Sequence, residues 1–183
     1  RLIAAVAGSS TGLSARAESP VIELDFQPEI TTQIASRFVA EGAAFVDGLT
    51  VSVSKGTWIN LDGAPIEVTA TGTLYGPFDE QPTEADTPPA DAPVAGTETV
   101  TLTGAGSYTS PGTIIAPESG FYTWVWAIDK DAHGDHAKYL TDSFTDRYGQ
   151  VTETSVVPFQ PVAVSEADQR FAVPGDALTD TIT

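Results

Sequence analysis

The sequence predicts an all-β chain, an antiparallel β-sandwich repeat with extended terminal segments. Three observations predict it: short β-branched or alternating runs recur between turn residues, no segment carries a capped helical period over three turns, and the chain repeats itself without gaps.

The repeat divides the chain. Phe26-Gln27-Pro28 returns as Phe159-Gln160-Pro161, an offset of 159 − 26 = 133. The same offset pairs Arg37 with Arg170, Phe38 with Phe171, Gly42 with Gly175, Ala44 with Ala177, Asp47 with Asp180 and Thr50 with Thr183, so nine identities fall in 25 aligned positions. A period of this length is too long for a solenoid turn and fits a whole domain in tandem. Residues 26–158 are then one repeat, and residues 159–183 are the first strands of the next. Residues 1–25 are an N-terminal extension, a linker or a signal-peptide remnant. The small, apolar stretch at 2–17 ends in Ala15-Arg16-Ala17, the small-residue pattern of a leader cleavage site.

Within the repeat, strand-like runs lie at 45–54 (FVDGLTVSVS), 65–75 (PIEVTATGTLY), 97–103 (TETVTLT), 120–128 (GFYTWVWAI) and 153–159 (ETSVVPF). Turn residues punctuate them at Lys55-Gly56, Asp62-Gly63, Gly104-Ala105-Gly106, Ser110-Pro111-Gly112 and Glu118-Ser119-Gly120. Many short strands in a repeat of this length point to a sandwich of the immunoglobulin-like kind. Tyr122, Trp124 and Trp126 alternate and so share one face of a strand. That face is either a core stripe or a platform for stacking a glycan. Residues 77–98 are rich in Pro and acid and nearly devoid of large apolar side chains, which predicts a long solvated loop at one end of the sandwich.

Composition narrows the function. Among 183 residues, 25 are acidic and 8 basic, a net charge of −17 that repels nucleic acid and anionic lipid. There is no Cys and no Met, which removes disulfides, thiol chemistry and oxidisable thioethers and suits an oxidising exterior. No apolar run reaches the roughly 18 residues that a membrane span requires.

Enzymatic arrangements are missing from the motifs. Neither His133 nor His136 joins a catalytic pattern, and no nucleophile elbow, H-E-x-x-H helix or phosphate-cradling Gly loop occurs, so the chain reads as non-enzymatic with no organic cofactor. The loop Asp129-Lys130-Asp131-Ala132-His133-Gly134-Asp135 has a calcium-loop rhythm, which makes Asp129, Asp131 and Asp135 candidate ligands for Ca²⁺. It lacks the bidentate Glu of such loops, having Leu140 at the twelfth position. An autocatalytic Lys–Asn bond is disfavoured, because the sole Asn, Asn60, follows Lys55 closely across a turn.

A different cross-link has a counterpart in the sequence. The run Pro28-Glu29-Ile30-Thr31-Thr32-Gln33-Ile34-Ala35 resembles the first strand of the Thr–Gln ester-bond domains found in tandem in Gram-positive and actinobacterial surface adhesins. There a P-x-I-x-T pattern carries the bond-forming Thr. Val46-Asp47-Gly48-Leu49-Thr50-Val51 is similar to their next strand, and residues 142–154 (DSFTDRYGQVTET) to their closing motif, in which a Gln followed by Thr accepts the ester. The resemblance implies Thr32 as the hydroxyl, Asp47 as the assisting acid, and either Gln150 or Glu153 as the acyl partner. This chain departs from the pattern: Gln150 is followed by Val151, the residue followed by Thr is Glu153, and no His precedes the Asp pair. With Gln150 ammonia would leave; with Glu153 the bond must expel water. Ser165, at the position of Thr32 in the second copy, is also a hydroxyl.

These readings lead to one expectation and one runner-up. The expectation is a structural stalk or spacer repeat of a secreted, cell-surface adhesin or extracellular filament, with neighbouring copies of the repeat as partners through strand exchange at residues 159–183 or 1–25. The runner-up is an adhesin module binding a glycan or host protein through the loop at 77–98 and the aromatic strand.

Overall fold

The alternating runs pair into two antiparallel sheets that share one core, in a computed structural model that describes residues 24–183. The leader-or-linker reading of residues 1–23 lies outside the described residues. Chain order gives β1 (Gln27–Ile34), β2 (Asp47–Lys55), β3 (Asn60–Leu61), β4 (Ala64–Pro65), β5 (Val68–Phe78) and β6 (Val94–Leu102). It continues with β7 (Gly106–Thr109), β8 (Gly120–Ile128), β9 (Phe144–Thr145), β10 (Thr154–Val157), β11 (Ser165–Ala167) and β12 (Asp180–Ile182). One sheet has the order β1-β2-β7; the other runs β10-β8-β5-β6 with β9 against β8. No helix among the described residues is long and apolar enough to cross a membrane.

Alternation explains which side chains meet. Ile30 of β1, Leu49 and Val51 of β2, Val68, Ala70 and Leu74 of β5, and Val100 and Leu102 of β6 all turn inward. Between the layers stand Tyr122, Trp124, Trp126 and Ile128 of β8, each at most 1% exposed. The aromatic stripe is therefore core, with Trp124 and Trp126 stacked at 5.5 Å between ring centroids, and it offers no face to a glycan. Trp126 fits because its cross-strand neighbour is Gly72: a Cβ there would lie 2.6 Å from the indole ring.

Two expectations are corrected. The turn assigned to 104–106 ends in a real strand, β7, which pairs with β2. The acidic stretch at 77–98 does not project freely. Its ends continue β5 and β6, and its middle is held down by paired backbone bonds between Ala85 and Tyr148 at 2.9 and 3.0 Å and by ion pairs from Arg147 to Glu84 and Asp86.

Glu98 belongs to β6 and is 4% exposed. Its carboxylate accepts the backbone N–H groups of Gly112, Thr113 and Ile114 and the Thr113 hydroxyl, fastening the chain between β7 and β8 to the sheet. Burial alone would raise its pKa, but these four donors outweigh it and hold the group below its ordinary value. A lowered carboxyl stabilises the fold above its unfolded pKa and loses that contribution as pH falls through the folded value. Glu98→Ala, which orphans three N–H groups, is expected to cost about 3 kcal/mol in chemical denaturation and to remove this part of the acid sensitivity.

The path of the chain gives the domain a direction. Phe26 enters beside Leu140, near the end of β8 at Ile128, whereas Val157 leaves opposite Gly120, at the start of β8. Entry and exit thus lie at opposite ends of a nine-residue strand, roughly 27 Å apart. After β1 the chain runs parallel to β10: Val39 N–H bonds Val156 C=O at 3.0 Å, and Val156 N–H bonds Arg37 C=O at 2.7 Å.

Candidate functional site

Between the first and last strands lies a cluster of polar side chains that the core does not require. Along β1, Ile30, Thr32 and Ile34 point inward while Glu29, Thr31 and Gln33 point out, so the P-x-I-x-T spacing aims the Thr32 hydroxyl between the layers. Asp47 opens β2 opposite Ile34 and is fully buried. Glu153 comes from the far end of the domain, as the last residue of a 3-10 turn, Val151–Glu153, that leads into β10, and it is 1% exposed.

Asp47 is held by three bonds. Trp126 donates its Nε1–H to Oδ2 at 2.7 Å, Gly48 donates its N–H to Oδ1 at 2.9 Å, and Asp47 donates its own N–H to Ser110 Oγ at 3.0 Å. Glu153 has no such support, for its Oε2 is buried without a partner. Burial raises the Glu153 carboxyl to about 8, helped by the negative charges of Asp47 and Asp146 and by a hydrogen bond shared with Asp47, while the neighbouring Thr32 hydroxyl opposes the shift. Burial likewise raises Asp47 to about 6, against the pull of its bonds to Trp126, Glu153 and Gly48. The donors on Asp47 favour charge there, whereas burial and the neighbouring carboxylates favour the neutral form of Glu153.

Asp146 completes the cluster and was missing from the sequence-based set. Its Oδ2 accepts the Thr32 hydroxyl at 3.2 Å, and its Oδ1 accepts Gln150 Nε2 and Arg147 N–H, each at 2.7 Å. Residues 142–154 contain the signal, since Asp146 is one of the spaced Asp residues of the closing motif, but spacing alone does not say which of them faces Thr32. Gln150 lies at the edge of the cluster, where its carboxamide N–H groups donate to Asp146 and to the Arg147 carbonyl. Thr32, Asp47, Asp146 and Glu153 lie together between the sheets.

Such an arrangement can do acyl chemistry. A neutral carboxylic acid is the form that a hydroxyl can esterify, and Glu153 is kept neutral by burial. A carboxylate on the Thr32 hydroxyl can take its proton, and enclosure between two sheets supplies both proximity and exclusion of water.

The calcium candidates do not converge. Asp129 caps a 3-10 stretch, Lys130–Tyr139, by accepting the Asp131 N–H at 3.1 Å, and no group of three or more His, Cys, Asp or Glu side chains among the described residues is arranged to hold a metal ion. His133, in the same stretch, accepts the Thr69 N–H at 2.8 Å and lies 2.7 Å from the Asp129 carbonyl, a structural bridge to β5. Lys55 pairs with Asp25, not with Asn60. Neither protein-family models nor curated proteins match this chain.

Proposed function

We propose that the chain is a structural spacer of a secreted bacterial surface adhesin or extracellular filament, an immunoglobulin-like repeat that carries tension along its long axis and is tied internally by an ester between Thr32 and Glu153. The observation that supports this reading most is the position of the tie. Entry and exit lie at opposite ends of the domain, and the first strand, which carries Thr32, packs against the turn before the last strand, which carries Glu153. Force entering at Phe26 and leaving at Val157 must pass this contact before it can open the core.

The bond forms by condensation. Asp146 accepts the Thr32 hydroxyl proton, Thr32 Oγ1 adds to the Glu153 carboxyl carbon, and the acid's own OH departs as water with the proton that Asp146 took. One C–O bond forms and one breaks, with no change of oxidation state. Gln150 and the Arg147 N–H hold Asp146 in place, and Asp47, braced by Trp126, accepts the hydrogen bond of the Glu153 acid and keeps that carboxyl in its protonated form.

Intact mass in denaturant tests the tie. The wild-type chain is expected to be lighter than its sequence by one water molecule and Thr32→Ala to have its full mass; full mass for both removes the ester. Single-molecule pulling tests the spacer reading separately. With the tie closed, the chain between 32 and 153 contributes no extension, whereas Thr32→Ala extends over its whole length.

A further inference from the structure

The hairpin beyond the sandwich presents a surface that the first domain does not use. All of residues 158–183 are exposed, including Phe159 at 76%, Leu178 at 75% and Ile182 at 73%. Subtracting 133 turns these three into Phe26, Phe45 and Leu49, each at most 1% exposed in the sandwich. The second copy therefore carries apolar side chains where the first buries its own.

The backbone agrees, residue for residue. In the sandwich, β1 and β2 pair Thr32 with Leu49, Gln33 with Gly48 and Ile34 with Asp47. In the hairpin, β11 and β12 pair Ser165 with Ile182, Glu166 with Thr181 and Ala167 with Asp180, the same register shifted by 133. The flanking bonds recur as well. Ala35 N–H to Val46 C=O at 3.0 Å becomes Asp168 to Thr179 at 3.2 Å, and Ala43 to Ala40 at 2.9 Å becomes Asp176 to Val173 at 3.0 Å. Gly42 and Gly175, with φ of 78° and 104°, turn the chain at equivalent points. Side-chain alternation has a period of two, so an identical register puts Ser165 and Asp180 on the same face as the apolar set.

We propose that residues 159–183 form a second, half-built site, with Ser165 as the hydroxyl and Asp180 as the acid. Their occupant is the remaining strands of a domain of this fold, which bring an aromatic stripe to cover Phe159, Leu178 and Ile182 and a buried carboxyl or carboxamide to face Ser165. The covering role follows from register and exposure alone. The chemical role of Ser165 rests on the reading of Thr32 and Glu153 given above.

The test extends the full chain by adding a copy of its own residues 51–158 directly after Thr183, the counterpart of Thr50. In the unextended chain the amide protons of residues 164–168 and 179–183 are expected to exchange freely at every concentration. In the extended chain they become protected, and a second cooperative unfolding unit appears. Replacing both Leu178 and Ile182 by Ser abolishes that second unit and leaves the first intact. The docking proposal is overturned if the appended segment stays unfolded beside an intact first domain, or folds with the hairpin amides still exchanging. Protection that grows with concentration in the unextended chain also overturns it, by making a second copy of the chain the occupant. Ser165 is read separately by mass: the extended chain is expected to fall one water molecule further below the mass of its own sequence than its Ser165→Ala variant falls below that of its own. Equal deficits, with the second unit folded, remove the chemical role of Ser165 and leave the docking standing; an absent Thr32 bond is seen independently in the unextended chain.

Discussion

Raising the pH from 4.5 to about 8 is expected to destabilise the Thr32→Ala variant by roughly 3–5 kcal/mol, a slope opposite in sign to ordinary acid unfolding. In that variant Glu153 is a free acid, buried and beside two other carboxylates, so its folded pKa stands well above the value of 4.5 that it takes in the unfolded chain. A group raised in this way contributes its full stability below the unfolded value. Above it the unfolded chain releases a proton that the folded chain still holds, and stability declines until the folded group ionises as well. The Asp47 shift is not added, because the two groups share one repulsion. Denaturant midpoints across this range give the slope, and Thr32→Ala/Glu153→Gln is expected to flatten it. If the proposed ester forms, the wild-type chain is expected to lack the slope too. A sloped wild type with the same midpoints as Thr32→Ala would mean that the acid is never consumed.

The second large effect comes from a residue without a side chain. Gly72→Ala places a methyl group 2.6 Å from the Trp126 ring, where three ring atoms of a fully buried indole block it on the opposing strand. Neither strand can withdraw, since β5 is paired on both sides, and overpacking of this kind costs about 1–3 kcal/mol. The displacement also moves the Nε1–H away from Asp47, leaving a buried carboxylate without its shortest bond, for a further loss of about 1–3 kcal/mol. Thermal unfolding is expected to fall accordingly, and the intact mass to shift toward that of the open chain. Trp126→Phe separates the two causes by removing the donor without crowding Gly72. Should it match Gly72→Ala in stability, the methyl clash contributes nothing.

The strands were legible where alternation is strong. Residues 45–54, 65–75 and 120–128 became β2, β5 and β8 because a buried face on every second residue is a local property of the sequence. β7 was hidden, since Gly106-Ser107-Tyr108-Thr109 has no apolar alternation and becomes a strand only because the edge of β2 offers it backbone partners. Glu98 falls in both the acidic stretch at 77–98 and the strand-like run at 97–103, and its burial was not legible because the donors that permit it come from residues 112–114. Arg147 and Tyr148 pin the loop at 79–93 by contacts more than 60 residues away in sequence, which no local pattern records.

The sequence by itself determined the all-β class and the 133-residue offset that matches residues 159–183 to residues 26–50, because both follow from patterns along one chain. Tertiary structure alone decided which of the two candidate side chains is buried beside Asp47. Gln150 and Glu153 lie three residues apart, and both suit the motif, but the 3-10 turn before β10 points Glu153 between the sheets while Gln150 stays with Asp146. It likewise set the direction of the carboxyl shifts, since a carboxyl pKa depends on burial and on donors that reach it from other strands: Trp126 reaches Asp47, and nothing reaches Glu153 Oε2.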